Sequence, residues 1–374
     1  MSLAARIAPL AVVLVLAARS AAAQDGLASG QGCPAPDGLY FVDAHSQLVN
    51  GVDEARVISL MDHGGVWRTQ LSPHLLRAPS TILAMGRERA GRITPMVRLK
   101  GDHWGELALG DWRDHVRREV GESGYGGMAE ALIWHNGEPD REIKEVHIGA
   151  DSDWVKAALG FAKQRGWPFI AHMEFNALEG DARAATMRSF EALVSANPDT
   201  NFLLIHLGQL PPNETARLIG AHANLAFIAS HANDIVIERD QEKEWQDLFQ
   251  GRAIAPEWRS VVLAHPDRFL FALDNVFAGM WHPRVYISQM QLWWCALGKI
   301  PPTAAQAIAH GNAERLWHIA AKPADAVIYT PWAARTALGP VAGEAESGAR
   351  ERETHSQSGS TMGKGGGRHS GANR

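Results

Sequence analysis

Four apolar runs in the sequence each contain an ionisable side chain with the chemistry of a metal ligand. Burying an imidazole or a carboxylate among apolar residues without a partner is costly, so these positions need a reason. Side chains of these two kinds that converge from different segments are what a Zn²⁺-like ion requires, with one coordination position left for water. A single histidine of this kind is more often a hydrogen-bonded core residue. The prediction of a divalent metal site therefore rests on the whole set: His45, His172, His206 and Asp274.

The first of these runs, residues 41–47, carries a polar residue at every second position. Side chains alternate between the two faces of a β-strand. We therefore predict that Asp43, His45 and Gln47 share one face of this strand and that Val42 and Ala44 share the other.

The elements that position these groups alternate between short β-rich runs and longer segments with helical periodicity. This alternation is typical of parallel strands joined by crossover helices. Eight runs have the character of strands: residues 40–47, 66–71, 93–99, 128–134, 168–174, 201–206, 225–230 and 269–274.

Eight strands with intervening helices either close into a barrel or form an open doubly wound sheet. No glycine-rich phosphate-binding sequence follows the first strand, which argues against the open sheet. Ionisable residues recur at the ends of many different strands, as the shared mouth of a barrel requires. We therefore predict an α/β fold, a (β/α)8 TIM barrel, over residues 39–335.

The two ends of the chain differ in composition from the barrel segment. Arg6 precedes an apolar run at residues 7–18, and three alanines follow at residues 21–23, which is the order of a secretory signal peptide. We predict cleavage near Ala23, a secreted or periplasmic location, and a short extension over residues 24–38. Residues 336–374 are rich in Gly, Ser, Glu and Arg, which predicts a disordered tail.

The overall composition is that of a globular protein with a large core. Apolar residues make up 46% of the 374 positions and charged residues 21%. The formal net charge of -5 provides no basic field for nucleic acid or for anionic lipid. We therefore expect a small-molecule substrate, with no nucleic-acid partner and no membrane contact after signal cleavage. The oligomeric state is not indicated by the sequence.

Cys33 and Cys295 are the two cysteines of the sequence. In an oxidising compartment they form a disulfide that ties the N-terminal segment to a late helix. Alternatively both are unpaired, and Cys295 is buried beside Trp293 and Trp294. The sequence leaves both interpretations open.

Five short motifs occur in the order and with the spacing of a known group of barrel proteins. The sequence resembles the amidohydrolase superfamily, in particular its amidohydrolase-related branch of metal-dependent hydrolases and decarboxylases, over about residues 39–320. The motifs that carry the resemblance are VDAH at residues 42–45, PFIAH at 168–172, IHLG at 205–208, LFALD at 270–274 and GNAERL at 311–316.

The resemblance implies a His-x-His pair on the first strand, but Gln47 occupies the second position. An amide oxygen is a much poorer ligand than imidazole for a borderline-soft ion. The ion implied is divalent, with Zn favoured and Mn, Fe or Co also suited to these ligands. Two ligand sets are consistent with the resemblance: His45, His172 and Asp274, with Gln47 assisting, or Glu130, His172 and His206.

The reaction that the resemblance implies is hydrolysis of an amide, lactone or ester bond through metal-activated water. Asp274 would take the proton from that water and deliver it to the leaving group. His231 is a candidate to polarise the substrate carbonyl, and Arg68 and Arg98 are candidates to bind a substrate carboxylate. Two alternatives stay open: a decarboxylase of the same barrel type, and, because of Gln47, a non-catalytic exported binding protein with a decayed metal site.

Overall fold

The computed structural model describes residues 32–74, 77–100, 104, 109–137, 144–236 and 244–332. The predicted signal peptide, most of the N-terminal extension and the tail predicted to be disordered lie outside the described residues. Within the described part, strands and helices alternate in an α/β fold with parallel strands, which confirms the predicted class. None of the helices described there has the length and apolar character needed to cross a membrane.

Most strands of the described residues form a curled parallel sheet in two hydrogen-bonded parts, and β10 (Phe249–Gln250) and β11 (Ala253–Ile254) pair separately in antiparallel fashion. One part has the order β1-β2-β3-β4, and the other has the order β12-β9-β8-β7-β5, with β6 antiparallel at its edge. Each of the eight predicted runs contains a strand. The bounds are β1 Phe41–Leu48, β2 Val66–Pro73, β3 Ile93–Val97, β4 Gly127–Met128, β5 Ala131–His135, β6 Val146–His147, β7 Phe169–Met173, β8 Phe202–Ile205, β9 Leu225–Ile228, β10 Phe249–Gln250, β11 Ala253–Ile254 and β12 Phe269–Leu270.

The two parts of the sheet are connected at both junctions, at one by hydrogen bonds and at the other by the chain itself. The Ala44 N–H donates to the Phe271 carbonyl at 3.1 Å, and the Asp274 N–H donates to the His45 carbonyl at 2.8 Å. These bonds join β1 to the segment that follows β12. At the other junction, β4 and β5 belong to one stretch of chain that is interrupted only by residues 129 and 130. Because the strands are parallel, their carboxyl ends lie along the same edge.

The helices connect successive strands, and the sequence marks several of their ends. Asp53 caps α1 by accepting a hydrogen bond from the Ala55 N–H at 3.3 Å, and Ser152 caps α4 in the same way. Gly65 ends α1 with a φ of 79°, a left-handed conformation that glycine adopts without steric cost. The bounds are α1 Glu54–Gly64, α2 Pro79–Glu88, α3 Leu109–Gly121, α4 Asp153–Arg165, α5 Gly180–Ser195, α6 Pro212–Ala221, α7 Pro256–Ala264, α8 Pro283–Leu297, α9 Pro302–Gln306 and α10 Asn312–Trp317.

One face of the curled sheet is filled by apolar side chains from alternate strand positions. Leu203 and Ile205 of β8 and Ile228 of β9 belong to this core, and Leu316 and Trp317 of α10 pack against them. Alternation along each strand places these residues on a common face. The last helix thus covers one region of this face, and the carboxyl ends of the strands remain for polar groups.

β1 contains a bulge between its first and second halves. Asp43 pairs with Thr69, but Ser46 pairs with Leu71, so three steps along β1 match two steps along β2. An extra residue of this kind bends a strand and breaks the regular alternation of its side chains.

The bulge separates Asp43 from the later polar residues of β1, so the prediction that they share one face is wrong. The Asp43 carboxylate accepts hydrogen bonds from Ser46 Oγ at 2.6 Å and from the Leu273 N–H at 2.9 Å. Burial nevertheless raises its pKa to about 7. Asp43 therefore braces β1 against the segment after β12.

Cys33 and Cys295 form a disulfide, so the paired interpretation of the two cysteines is correct. The bond attaches the segment that precedes β1 to α8, across a sequence separation of 262 residues.

Candidate metal centre

Histidine and carboxylate side chains from several strands meet at the carboxyl edge of the sheet. Among the described residues, four sets of three such side chains have possible metal-ligand atoms, a histidine nitrogen or a carboxylate oxygen, within 4.8 Å of one another. Each set shares at least one member with another, so the sets form one continuous cluster. Its members are His45, Glu130, His135, His172, Glu174, His206, His231 and Asp274.

Three members of the cluster have left-handed backbone conformations. The φ angles are 54° at His206, 57° at His231 and 48° at Asp274. Each residue follows the end of a strand, so the chain turns sharply where the side chain must point into the cluster. A non-glycine residue held in this region costs about 1–3 kcal/mol, and such positions concentrate at functional sites.

We call His206, His231 and Asp274, with His45 beside them, the Asp274 group. One carboxylate oxygen of Asp274 lies 3.4 Å from His206 Nε2 and 3.6 Å from His231 Nε2. The other lies 3.5 Å from His45 Nε2. The Asp274 side chain is 1% exposed, and its Oδ1 accepts no hydrogen bond among the described residues. A buried carboxylate oxygen without a donor is costly unless another cation satisfies it.

The spacing of these atoms fits a divalent ion. Ligand atoms at about 2.1 Å from a tetrahedral Zn²⁺ are about 3.4 Å from one another, which is longer than a good hydrogen bond. The separations from Asp274 to His206 and His45 have this length. His206 Nδ1 lies 3.0 Å from Ser230 Oγ, an outer contact that fixes the ring with Nε2 towards Asp274. His206 and Asp274 therefore offer two ligand atoms at the spacing of a divalent ion, whereas His45 lies at the other carboxylate oxygen, outside the close set of His206, His231 and Asp274.

His231 has a different role in this group from the other two histidines. Its Nε2 lies 2.8 Å from the backbone carbonyl oxygen of Asp274. A carbonyl accepts hydrogen bonds, so this nitrogen carries the proton and donates. His231 therefore supports the turn at Asp274 and presents an N–H beside its carboxylate.

We call Lys100, Glu130 and His172, with Gln47, the Glu130 group. Glu130 lies at the break between β4 and β5, and its side chain is 1% exposed. Oε1 accepts from Lys100 Nζ in an ion pair and from Gln47 Nε2 at 3.0 Å. Oε2 accepts from His172 Nδ1 at 2.7 Å. Both oxygens of this carboxylate are therefore hydrogen bonded.

Glu174, at the end of β7, connects the Glu130 group to the loop that follows β5. Its Oε1 accepts from His135 Nδ1 at 2.9 Å and from His172 Nε2 at 3.1 Å. Its Oε2 accepts from the Asn136 N–H at 2.6 Å. A carboxylate in this position fixes the orientation and tautomer of a histidine ring.

The pKa values of His206 and His172 are shifted in opposite directions. Burial, followed by the positive charges of His231 and His172, holds the pKa of His206 well below its usual value, so its ring is neutral and offers a lone pair. Burial lowers the pKa of His172, but Glu130 and Glu174 outweigh it and raise it to about 9. Burial raises the pKa of Glu130, but Lys100 and His172 outweigh it and hold that pKa well below its usual value.

The structure brings the histidine and carboxylate candidates of the sequence together, in a particular grouping. Glu130, His172 and His206, one predicted ligand set, form one of the close sets. The other predicted set is split among the described residues, because His45 lies with Glu130 and Asp274 while His172 lies between Glu130 and Glu174. Gln47 points its amide nitrogen, a donor, at Glu130.

The two arginines predicted to bind substrate do not hydrogen bond to this cluster among the described residues. Arg68 Nε donates to the Gly91 carbonyl at 2.8 Å, and its charge acts on Tyr40 and Glu314, near the amino ends of the strands. Arg68 is therefore remote from the predicted mouth, and its assignment to substrate is corrected to a structural one. Arg98 acts electrostatically on Glu119 of α3.

Sequence reasoning missed Lys100 and Glu174, although both carry a signal. Glu174 lies two residues after His172, on the same face of the same strand by simple alternation. Lys100 directly follows the third predicted strand, at a position equivalent to those of the predicted ligands. Its positive charge removed it from a search for metal ligands.

Residues 87–319 match the family model described as amidohydrolase. No curated protein matches the chain.

Three solved structures illustrate the similarity of fold. An uncharacterised TIM-barrel protein from Bordetella bronchiseptica is 15% identical, with a TM-score of 0.48 over 80% of this chain and 91% of that one. A putative 2-pyrone-4,6-dicarboxylic acid hydrolase from Pseudomonas putida is 12% identical, with a TM-score of 0.48 over 76% of this chain and 99% of that one. An amidohydrolase from Burkholderia multivorans is 12% identical, with a TM-score of 0.46 over 75% of this chain and 100% of that one.

Proposed function

Because the chain belongs to the amidohydrolase family, we propose that it is a metal-dependent hydrolase of an amide, lactone or ester bond in a small molecule. The observation that carries the proposal is the Asp274 group. A buried carboxylate with an unsatisfied oxygen lies at ligand spacing from two histidines. Structural carboxylates are normally hydrogen bonded, as Asp43 and Glu130 are in this chain.

Asp274 and His206 would hold the ion, which we take to be Zn²⁺, and His45 contacts the other carboxylate oxygen of Asp274. When bound, a divalent ion at this place supplies Lewis acidity towards a carbonyl oxygen and towards water. Asp274 then accepts a proton from water through the oxygen that carries no hydrogen bond, and returns it to the leaving group. His231 Nε2 donates to the Asp274 backbone carbonyl and so supports the turn that presents this carboxylate.

The test begins with metal analysis of the purified full chain and continues with an activity screen. Lactones, N-acyl amides, esters and aryl carboxylates are offered with and without a chelator and with Zn²⁺ restored. We expect chelator-sensitive hydrolysis, with oxygen from labelled water in the acid product. Release of CO₂ from an aryl carboxylate without oxygen incorporation would replace the proposal with a decarboxylase. Absence of bound metal after Zn²⁺ loading would replace it with a binding protein.

We also propose that the strands form one closed (β/α)8 barrel. The hydrogen bonds from β1 to the segment after β12 support closure on one side. The direct continuation of β4 into β5 supports it on the other. In such barrels the active site lies at the carboxyl ends of the strands, which is where the cluster is found.

Export to a secreted or periplasmic location is a further part of the proposal. The signal-like order of residues 6–23 motivates it, and the disulfide between Cys33 and Cys295 supports it because such bonds persist in oxidising compartments. Mass spectrometry of the exported product should give a chain that starts near Gln24. An intact Met1 on a cytoplasmic product would contradict it.

A further inference from the structure

Glu130 is the carboxylate of the cluster that accepts a hydrogen bond from a lysine. Its Oε1 accepts from Lys100 and from Gln47, and its Oε2 accepts from His172. Lys100 brings a full positive charge, and its side chain is only 15% exposed, so it is held close to the cluster. Both oxygens of Glu130 accept hydrogen bonds, whereas Asp274 Oδ1 accepts none among the described residues.

A divalent ion and a lysine ammonium compete for the same place on a carboxylate. Both are compact cations that need the oxygen lone pairs, and Glu130 already accepts from Lys100 and from the His172 ring, so a further cation in this buried site would be repelled. An ion at Glu130 therefore requires that Lys100 leave. The ammonium is tethered by its own chain, so it occupies that place at high effective concentration.

Gln47 acts in the same direction as Lys100. Its amide lies 3.0 Å from Glu130 Oε1, and only the nitrogen of the amide can face a carboxylate oxygen without repulsion. The amide oxygen, its only group able to bind a metal, is therefore turned away from Glu130. Hydrogen-bond donors of the protein itself, from Gln47, Lys100 and His172, therefore occupy the oxygens of Glu130.

We propose that Lys100 is a built-in cation that takes the place of a second metal ion on Glu130 and limits the site to one ion, held at Asp274. This inference rests on the proposed function, because it presupposes that the Asp274 group binds metal. It adds a residue that determines stoichiometry, and it gives Gln47 a role as a donor to Glu130.

The experiment compares metal content in the full chain and in matched variants. Each protein is loaded with Zn²⁺, passed through a desalting column and analysed for zinc per chain, with circular dichroism to verify the fold. Gln47→His adds an imidazole but keeps Lys100. The double variants Gln47→His/Lys100→Met and Gln47→His/Lys100→Gln remove the charge in two ways, so the loss of one protein to misfolding leaves the other informative.

We expect one zinc per chain in the wild type and in Gln47→His, and two in whichever double variants fold. Two zinc ions in the wild type or in Gln47→His would overturn the inference while the proposed function stands, and so would one zinc ion in a folded double variant. A wild-type chain that binds no zinc would overturn the proposed function, and the inference with it.

Discussion

The Asp274 group and the Glu130 group contain the same kinds of side chain but differ in how their carboxylates are satisfied. Glu130 accepts hydrogen bonds at both oxygens, one of them from a lysine. Asp274 lies at ligand spacing from histidines and has an oxygen without a donor among the described residues. This difference shows that residues able to bind a metal do not by themselves make a metal site. A carboxylate binds an ion where the chain has left its oxygen unsatisfied.

The backbone conformations of the two groups also differ. Asp274 and His206 are held with positive φ, whereas Glu130 and His172 are not among the residues with that conformation. Backbone strain is therefore found in the Asp274 group, where we place the chemistry. Four substitutions test this difference between the Asp274 group and the Glu130 group.

Asp274→Asn should lower turnover by about 10²- to 10⁴-fold, because an amide cannot accept the proton that the carboxylate takes. The measurement is kcat on a substrate found in the screen. Asp43→Asn is the matched control, since Asp43 is equally buried but bonded to Ser46 and Leu273. The control should retain kcat once its folded fraction is taken into account. Wild-type turnover in Asp274→Asn would show that the division is wrong.

Glu130→Gln should act mainly on stability. It leaves the Lys100 ammonium beside a neutral amide in a largely buried site, and removal of one partner of a buried ion pair costs about 3 kcal/mol or more. Urea denaturation at neutral pH measures the free energy of unfolding. Glu130→Gln/Lys100→Met, which removes both charges, should recover much of the loss. A single variant as stable as the wild type would mean that the pair contributes nothing.

Glu174→Gln should lower the free energy of unfolding by about 1–3 kcal/mol, the cost of leaving a buried donor without an acceptor. An amide supplies one acceptor where the carboxylate supplies two, so the bonds to His172, His135 and the Asn136 N–H cannot all be kept. Urea denaturation measures the change, and zinc affinity should stay at the wild-type value because neither histidine is among the ligands that we place at Asp274. A loss of zinc affinity with the fold intact would place His172 among the ligands.

Lys100→Met should raise the pKa of His74. Burial, then the charge of Lys100, lowers that pKa to about 4. The neutral ring contributes stability that is present above the unfolded pKa of about 6.5 and is lost as pH falls towards the folded value, about 2 kcal/mol of it by pH 5. NMR titration of His74 measures the shift, and the loss of stability between neutral pH and pH 5 should become smaller in the variant. A pKa that stays at the wild-type value would show that Lys100 does not act on this side of the cluster.

Much of the site could be predicted because its residues lie at the ends of apolar runs. The runs at residues 168–174 and 201–206 predict β7 and β8, and parallel strands bring His172 and His206 to one edge. The proximity of these two histidines follows from the hydrophobic pattern of each run and from the parallel arrangement of the strands, and both can be read from short segments of sequence.

The bulge in β1 could not be predicted in the same way. Regular alternation places Asp43 with His45, but the pairing with β2 inserts an extra residue between Asp43 and Ser46. Whether a strand alternates regularly depends on the neighbour with which it pairs, and that neighbour is set by the whole sheet.

The sequence is enough to predict the α/β class, the order of the strands along the chain and most of the histidines and carboxylates that meet at one edge. Those properties depend on hydrophobic periodicity and on residue type, which are local. Only the tertiary structure decided which carboxylate is satisfied by the chain and which is not. Lys100 and Glu130 are 30 residues apart, and Asp274 and His45 are further apart still. Hydrogen-bond partners across such distances are chosen by packing, so the division between the two groups appears only in the folded chain.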